Sequence, residues 1–166
     1  MKLTTLGCWG AYPYKDGGTT SYLVTSEDGF QLLMDCGSRA VTELEKEISP
    51  LDLDAVIISH YHPDHVADLG VLRHYFQLYP KHLWEPKILP IYGHTEDEQE
   101  FAKLTLDGVS QGKAYDVNGV EKIGPFDITF IKTVHPVPCY AFRIVEHATG
   151  QTLVFTGDTG YFEGLD

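Results

Sequence analysis

Ile57-Ile58-Ser59-His60-Tyr61-His62-Pro63-Asp64-His65 places four metal-competent side chains within six positions, directly behind the apolar run that starts at Ala55. From the chain's own composition, His-x-His-x-Asp-His arises by chance roughly once in 700 chains of this length. A metal site is therefore the working reading, and the fold is read outward from it. The run before the cluster has the length and apolar character of a short strand covered on both faces. Pro63 suits the first position of a helix, and Val66, Leu69, Leu72, Phe76 and Tyr79 continue it as an apolar stripe. A turn at the carboxyl end of a strand is where open α/β sheets bind ligands. Asp64 and His65 then fall in the first helical turn, where a carboxylate offsets the repulsion between a cation and the helix dipole.

Upstream, residues 2–8 read as a strand, followed by a loop from Trp9 to Thr19 rich in Gly, Pro and Tyr. Residues 21–25 and 30–34 read as strands joined through Glu27-Asp28-Gly29, a short hairpin signal. The second leads into Asp35-Cys36-Gly37 and a helix over 38–48, with Ser38 as its cap and Pro50 beyond its end. Downstream come a connector over 80–86, a strand over 87–92 and a capping box, Thr95 to Glu98, opening a helix to about Leu106. Strands follow over 126–134, 140–146 and 152–156. This alternation of hairpins and crossovers predicts one α+β domain over residues 1–166, layered from helices and one twisted sheet per half.

Composition narrows the class. Hydrophobic residues make up 43% and charged residues 22%, as in ordinary globular chains. No apolar run approaches the roughly 20 residues that span a bilayer, and the N-terminus lacks a signal pattern, so a soluble cytoplasmic protein with no membrane partner is expected. The net charge of −12 disfavours binding a polyanion over most of the surface, although bound cations would reverse that locally. Cys8, Cys36 and Cys139 show no Cys-x-x-Cys spacing, and each sits in or beside an apolar segment, so all three are expected to be buried hydrophobes.

His60 and His62, one residue apart in a turn, can present both imidazoles to one side, as one ion requires; three protein ligands plus water make a catalytic site. His135, after the strand over 126–134, is the leading third ligand. Asp64 and His65 could hold a second ion, and Asp158, in Gly157-Asp158-Thr159-Gly160, fits a carboxylate shared between the two. Read alone, Asp158 is a turn residue. Asp35 either caps the following helix or supports the ligands from behind. His74, His82, His94 and His147 have no ligand-like spacing and are assigned to the surface or an interface. Two ions roughly 4 Å apart suit hydrolysis of an ester, amide or phosphodiester.

Together, Asp35, the block from His60 to His65, His135 and Asp158, in this order, resemble the metallo-β-lactamase-fold hydrolase superfamily. The segment from Thr133 to Ile144, Leu89-Pro90-Ile91-Tyr92-Gly93 and Phe155-Thr156-Gly157-Asp158-Thr159 look like its ribonuclease Z-like phosphodiesterase branch. The resemblance implies an αββα sandwich holding two divalent ions, zinc or else manganese, with His60, His62 and His135 on one, Asp64 and His65 on the other, and Asp158 bridging. A hydroxide between the ions would be the nucleophile and Asp64 the proton acceptor or orienter. Asp158 stands where the main class of zinc β-lactamases carries cysteine, which argues against antibiotics as substrates. The stretch from His65 to Lys87 is too short for the long arm with which many members grip tRNA, which argues against tRNA 3′-end processing and leaves small phosphodiesters open; the expected substrate is a small-molecule or nucleic-acid phosphodiester. The family's last histidine ligand has no counterpart after Asp158, so the chain reads as the N-terminal two-thirds of such a protein, with its second metal shell one ligand short. Hydrolysis of a thioester, lactone or sulfate ester, or a non-catalytic metal-binding fragment, are the alternatives. Members are often homodimers, and Tyr75, Phe76, Tyr79 and Trp84 either form such an interface or pack internally.

Overall fold

The computed structural model describes residues 1–79 and 87–164, so the connector over 80–86, with His82 and Trp84, lies outside the described residues. Two sheets face each other. The larger contains β1 (Lys2–Trp9), β2 (Gly18–Thr19), β3 (Ser21–Thr25), β4 (Gln31–Met34), β5 (Ala55–Ile57), β6 (Leu89–Gly93) and β7 (Ser110–Ala114), in the order β2-β1-β3-β4-β5-β6-β7. The smaller contains β8 (Glu121–Ile123), β9 (Phe126–Lys132), β10 (Tyr140–Glu146) and β11 (Thr152–Phe155), in the order β11-β10-β9-β8. Strands β4, β5, β6 and β7 run parallel to one another, whereas the smaller sheet is antiparallel throughout. This is the layered α+β architecture read from the sequence.

Side-chain alternation builds two cores from one sheet. Leu33, Val56 and Ile58 point to the helical side and meet Leu44, Leu72 and Phe76. Leu32 and Ile57, one position away, point between the sheets and meet Phe126, Phe142 and Ile144. A strand buried on both faces has no polar face to show, hence the unbroken apolar run before the histidine cluster. The smaller sheet alternates instead: Phe130, Phe142 and Ile144 point inward while Arg143 and Val154 are exposed.

Several local expectations change. The helix expected over 38–48 is α1 (Ala40–Leu44), and Ser38 is not its cap. Arg39 occupies that position with φ +70, while Ser38 exchanges backbone and side-chain hydrogen bonds with Thr19. The helix expected from Pro63 to Tyr79 is two, α2 (Pro63–Val66) and α3 (Leu69–Leu78). The break has a cause: the His65 carbonyl accepts from Cys36 N–H (2.7 Å), and Asp68 N–H donates to the Cys36 carbonyl (3.0 Å). Tertiary bonds to the 35–37 turn thus replace helical ones. Gly37 allows this approach, because a Cβ there would lie 2.1 Å from the Asp64 carbonyl. α4 (Glu98–Ala102) starts after Asp97, whose carboxylate accepts from Glu100 N–H (3.0 Å), so Asp97 replaces the Thr95 cap. Cys36 and Cys139 are buried as expected, but Cys8 is exposed.

Candidate metal centre

The cluster assembles at strand ends. Asp35 follows β4 and His60 and His62 follow β5, at the carboxyl ends of adjacent parallel strands. His135 follows β9 and Asp158 follows β11, so the smaller sheet contributes from the opposite side. Gly157 (φ +58) turns the chain before Asp158; a Cβ there would lie 3.1 Å from Cys139 Sγ and 3.4 Å from Ser59 Cβ. The site therefore exists only where both sheets meet.

Three imidazole rings, those of His60, His62 and His135, have their centroids 4.8 Å apart in every pair. His62 Nδ1 lies 3.0 Å from His135 Nε2. The His65 ring is tilted against that of His60, 4.0 Å between centroids, and its Nε2 lies 3.3 Å from Asp158 Oδ1 and 3.6 Å from Asp64 Oδ2. Donor atoms of His60, His62, His135 and Asp158 all fall within 4.8 Å of one another, as do those of Asp64, His65 and Asp158. Asp158 belongs to both sets. The six side chains assigned to the two ions, His60, His62, Asp64, His65, His135 and Asp158, are brought together.

A polar frame holds the rings from behind. Asp35, fully buried with φ +53, accepts from Ser59 N–H (2.7 Å), from Ser59 Oγ (2.7 Å) and from His65 Nδ1 (2.6 Å). It therefore bonds His65 and does not cap α1. Ser59 Oγ also lies 3.1 Å from His60 Nδ1. With both Nδ1 atoms occupied, His60 and His65 aim Nε2 forward, and those two buried nitrogens have no hydrogen-bond partner. Two buried orphan nitrogens beside two carboxylates fit a cation that all of them could bind.

The electrostatics differ across that donor set. Burial, reinforced by the neighbouring histidines, pushes the His60 pKa down to about 2, so its imidazole is neutral and able to ligate. Burial also lowers His135, against the pull of Asp158. Burial would lower His65 too, but its hydrogen bond to Asp35 and the surrounding carboxylates outweigh that and raise it.

Two participants were not singled out in the sequence. Ser59 connects Asp35 to both buried histidines. Ala11, in the loop after β1, donates its N–H to Asp64 Oδ2 (2.7 Å). The sequence assignment also fails for His94, which is buried at the end of β6 against Tyr61 (4.5 Å) and Tyr140 (5.7 Å), not on the surface. Its place after a strand parallel to β5 was the available signal. His147 is half-exposed and paired with Asp127 (2.9 Å), away from the cluster. Beside the cluster a cavity of about 400 Å³ opens, lined by Cys8, Gly10, Tyr22, Phe155 and Asp158 among others.

Residues 14–166 match the family model described as the metallo-beta-lactamase superfamily. The chain belongs to that superfamily. It is 43% identical over 161 residues to the "Probable metallo-hydrolase YhfI" of Bacillus subtilis, an alignment covering 97% of this chain and 65% of the relative. The crystal structure of the metallo-beta-lactamase fold protein YhfI superposes with a TM-score of 0.89 at 42% identity, over 97% of this chain and 63% of that one. Ribonuclease Z of Methanopyrus kandleri is 29% identical over 84% of this chain and 48% of its own length. The chain thus spans about half to two-thirds of the superfamily relatives it matches. Among the described residues, no helix is long and apolar enough to cross a membrane.

Proposed function

We propose that the chain carries the metal centre of a hydrolase that cleaves phosphodiesters, with small-molecule or nucleic-acid esters as substrates. The observation that carries this reading is Asp158, whose carboxylate joins two ligand sets, His60, His62 and His135 on one side and Asp64 and His65 on the other. One carboxylate common to two such sets suits two divalent ions, zinc or manganese. When bound, a pair of ions lowers the pKa of water and stabilises the attacking and leaving oxygens of an in-line displacement. The likeness to proteins named ribonuclease Z supports a phosphodiester over other esters, and an aspartate in place of cysteine at position 158 speaks against antibiotics.

The chain's own residues do the positioning. Asp35 and Ser59 fix both buried imidazoles so that Nε2 faces the site. Ala11 N–H holds one oxygen of Asp64, leaving the other free to accept or orient a proton. Metal-replete protein is expected to hydrolyse bis(p-nitrophenyl) phosphate, to lose that activity in a chelator, and to regain it with zinc or manganese. Cleavage of thioesters, lactones or sulfate esters without any phosphodiester cleavage would overturn the choice of bond. Metal binding without turnover of any ester would leave a non-catalytic metal-binding protein.

We extend the proposal to a cytoplasmic protein that self-associates through α3. Phe76 is in the core, so the interface is not the set first expected. Val71 and Leu78, 54% and 71% exposed, form a second apolar stripe with the stacked rings of Tyr75 and Tyr79. Residues 69–79 themselves contain no carboxylate in a chain of net charge −12, with Glu45 the acid that reaches Tyr75, so two copies meet there with reduced repulsion. Light scattering is expected to give a dimer that Leu78→Glu converts to monomer; a monomeric parent protein would overturn this.

A further inference from the structure

We propose that the loop between β1 and β2 is a substrate platform, on which Tyr12 stacks against the flat ring of a nucleotide-sized phosphodiester. This deepens the phosphodiester reading and rests on it. Trp9, the last residue of β1, and Tyr12 and Tyr14 of the loop fall within six residues, at 45%, 69% and 49% exposure. Water-exposed aromatic surface is unfavourable, and concentrated in one loop it marks a contact surface.

The loop is built, not loose. Trp9 packs edge-on against Tyr14 (5.2 Å between centroids) and lies so close to Gly17 that a Cβ there would come within 2.4 Å of the indole nitrogen. Gly17 N–H donates to the Tyr14 carbonyl (3.0 Å), and the Lys15 ammonium stands 5.3 Å from the Tyr14 ring centre. Arg39 Nη1 reaches back from the start of α1 to the Lys15 carbonyl (3.4 Å). Trp9 and Tyr14 thus brace the loop, while Tyr12 projects from it as its most exposed aromatic side chain. A platform already held in place loses little entropy when a ligand stacks on it.

Its attachment point ties the loop backbone to the cluster. Ala11 adopts φ +64, and Tyr12 N–H donates to the Gly10 carbonyl (2.8 Å), which makes residues 10–12 a strained γ-turn. That turn directs Ala11 N–H onto Asp64 Oδ2 at 2.7 Å. Tyr12 is therefore the next residue after the one that touches a proposed metal ligand, about 3.8 Å of backbone away. Strain kept at a turn whose one outward bond is to the site is consistent with a functional loop.

Charge limits the size of the ligand. Lys15 and Arg39 stand on this rim beside Asp16 and Glu43, the latter 3.5 Å from Arg39 Nη2, so the rim offers little net positive charge, and the net charge of −12 repels a long polyanion. One exposed ring beside one phosphate site suits a base linked to a single phosphodiester, because every base offers a face for stacking.

The test uses two esters with the same leaving group, thymidine 5′-(p-nitrophenyl) phosphate and methyl p-nitrophenyl phosphate, on the complete natural polypeptide with metal. Tyr12→Ala is expected to raise KM about tenfold for the thymidine ester, with kcat within about twofold and the methyl ester unaffected. Tyr12→Phe should match the parent. An unchanged KM, or equal losses on both esters, overturns the platform while leaving the phosphodiester reading intact. Should the parent cleave neither ester, that reading fails and binding decides the platform by itself. By calorimetric titration of the same proteins, thymidine monophosphate is expected to bind the parent, with Kd raised about tenfold by Tyr12→Ala. No binding, or the same Kd in both proteins, overturns it.

Discussion

Replacing His62 with alanine is expected to lower phosphodiester hydrolysis by about 100-fold or more and to reduce the bound metal, while the metal-free protein folds as before. The magnitude follows from its position. Contacts behind a ligand commonly cost 10–100-fold in affinity or activity, and loss of the ligand itself costs at least as much. His62 is only half-buried, and its ring contacts are to His60 and His135, so its removal opens no core cavity. Stability without metal should change by about 1 kcal/mol or less, a value thermal unfolding in chelator measures directly. Hydrolysis and metal content at parental levels would remove His62 from the ligand set. The same substitution at His60 is a poorer test, because His60 is fully buried and its loss mixes packing with ligation.

Asp35→Ala separates the frame from the ligands. Asp35 is fully buried and accepts three hydrogen bonds, two from Ser59 and one from His65. Removing the acceptor leaves three buried donors without a partner, at about 1–3 kcal/mol each before relaxation. A total loss of about 3–5 kcal/mol is expected, read as a shifted denaturation midpoint in chelator. His65 would also lose the bond that fixes which ring nitrogen faces the site, so metal affinity should fall a further 10–100-fold. Asp35→Asn keeps the shape and one acceptor oxygen, and should recover part of the stability but less of the affinity. Parental stability in Asp35→Ala would contradict the frame.

The parts legible in the sequence were those in which one physical rule acts alone. Residues 55–58 are apolar without interruption because β5 is covered on both faces, and the ligands follow because the chain must turn there. His135 was readable as following a strand from the alternation of β9, and Asp158 from the Gly157-Asp158-Thr159-Gly160 turn behind the apolar residues of β11. Elements without such a pattern were not found. β7 reads Ser-Gln-Gly-Lys-Ala and sits at the sheet edge, where exposure removes the apolar alternation. β8 has three residues and β2 two, too few for any periodicity. The break between α2 and α3 arises from bonds to Cys36, a contact far away in sequence that no local propensity encodes. Ala11 escaped notice for a related reason, because it acts through its backbone N–H, which leaves no mark on residue type.

Metal stoichiometry is the most direct test of the central claim. Elemental analysis of the complete natural polypeptide, dialysed against micromolar zinc or manganese, is expected to give about two ions per chain, matching the two ligand sets that share Asp158. His62→Ala should reduce that number, and Tyr12→Ala should not. A parent protein that retains no ion under these conditions, or a His62→Ala variant with a full complement, would contradict the assignment of this cluster as a metal centre.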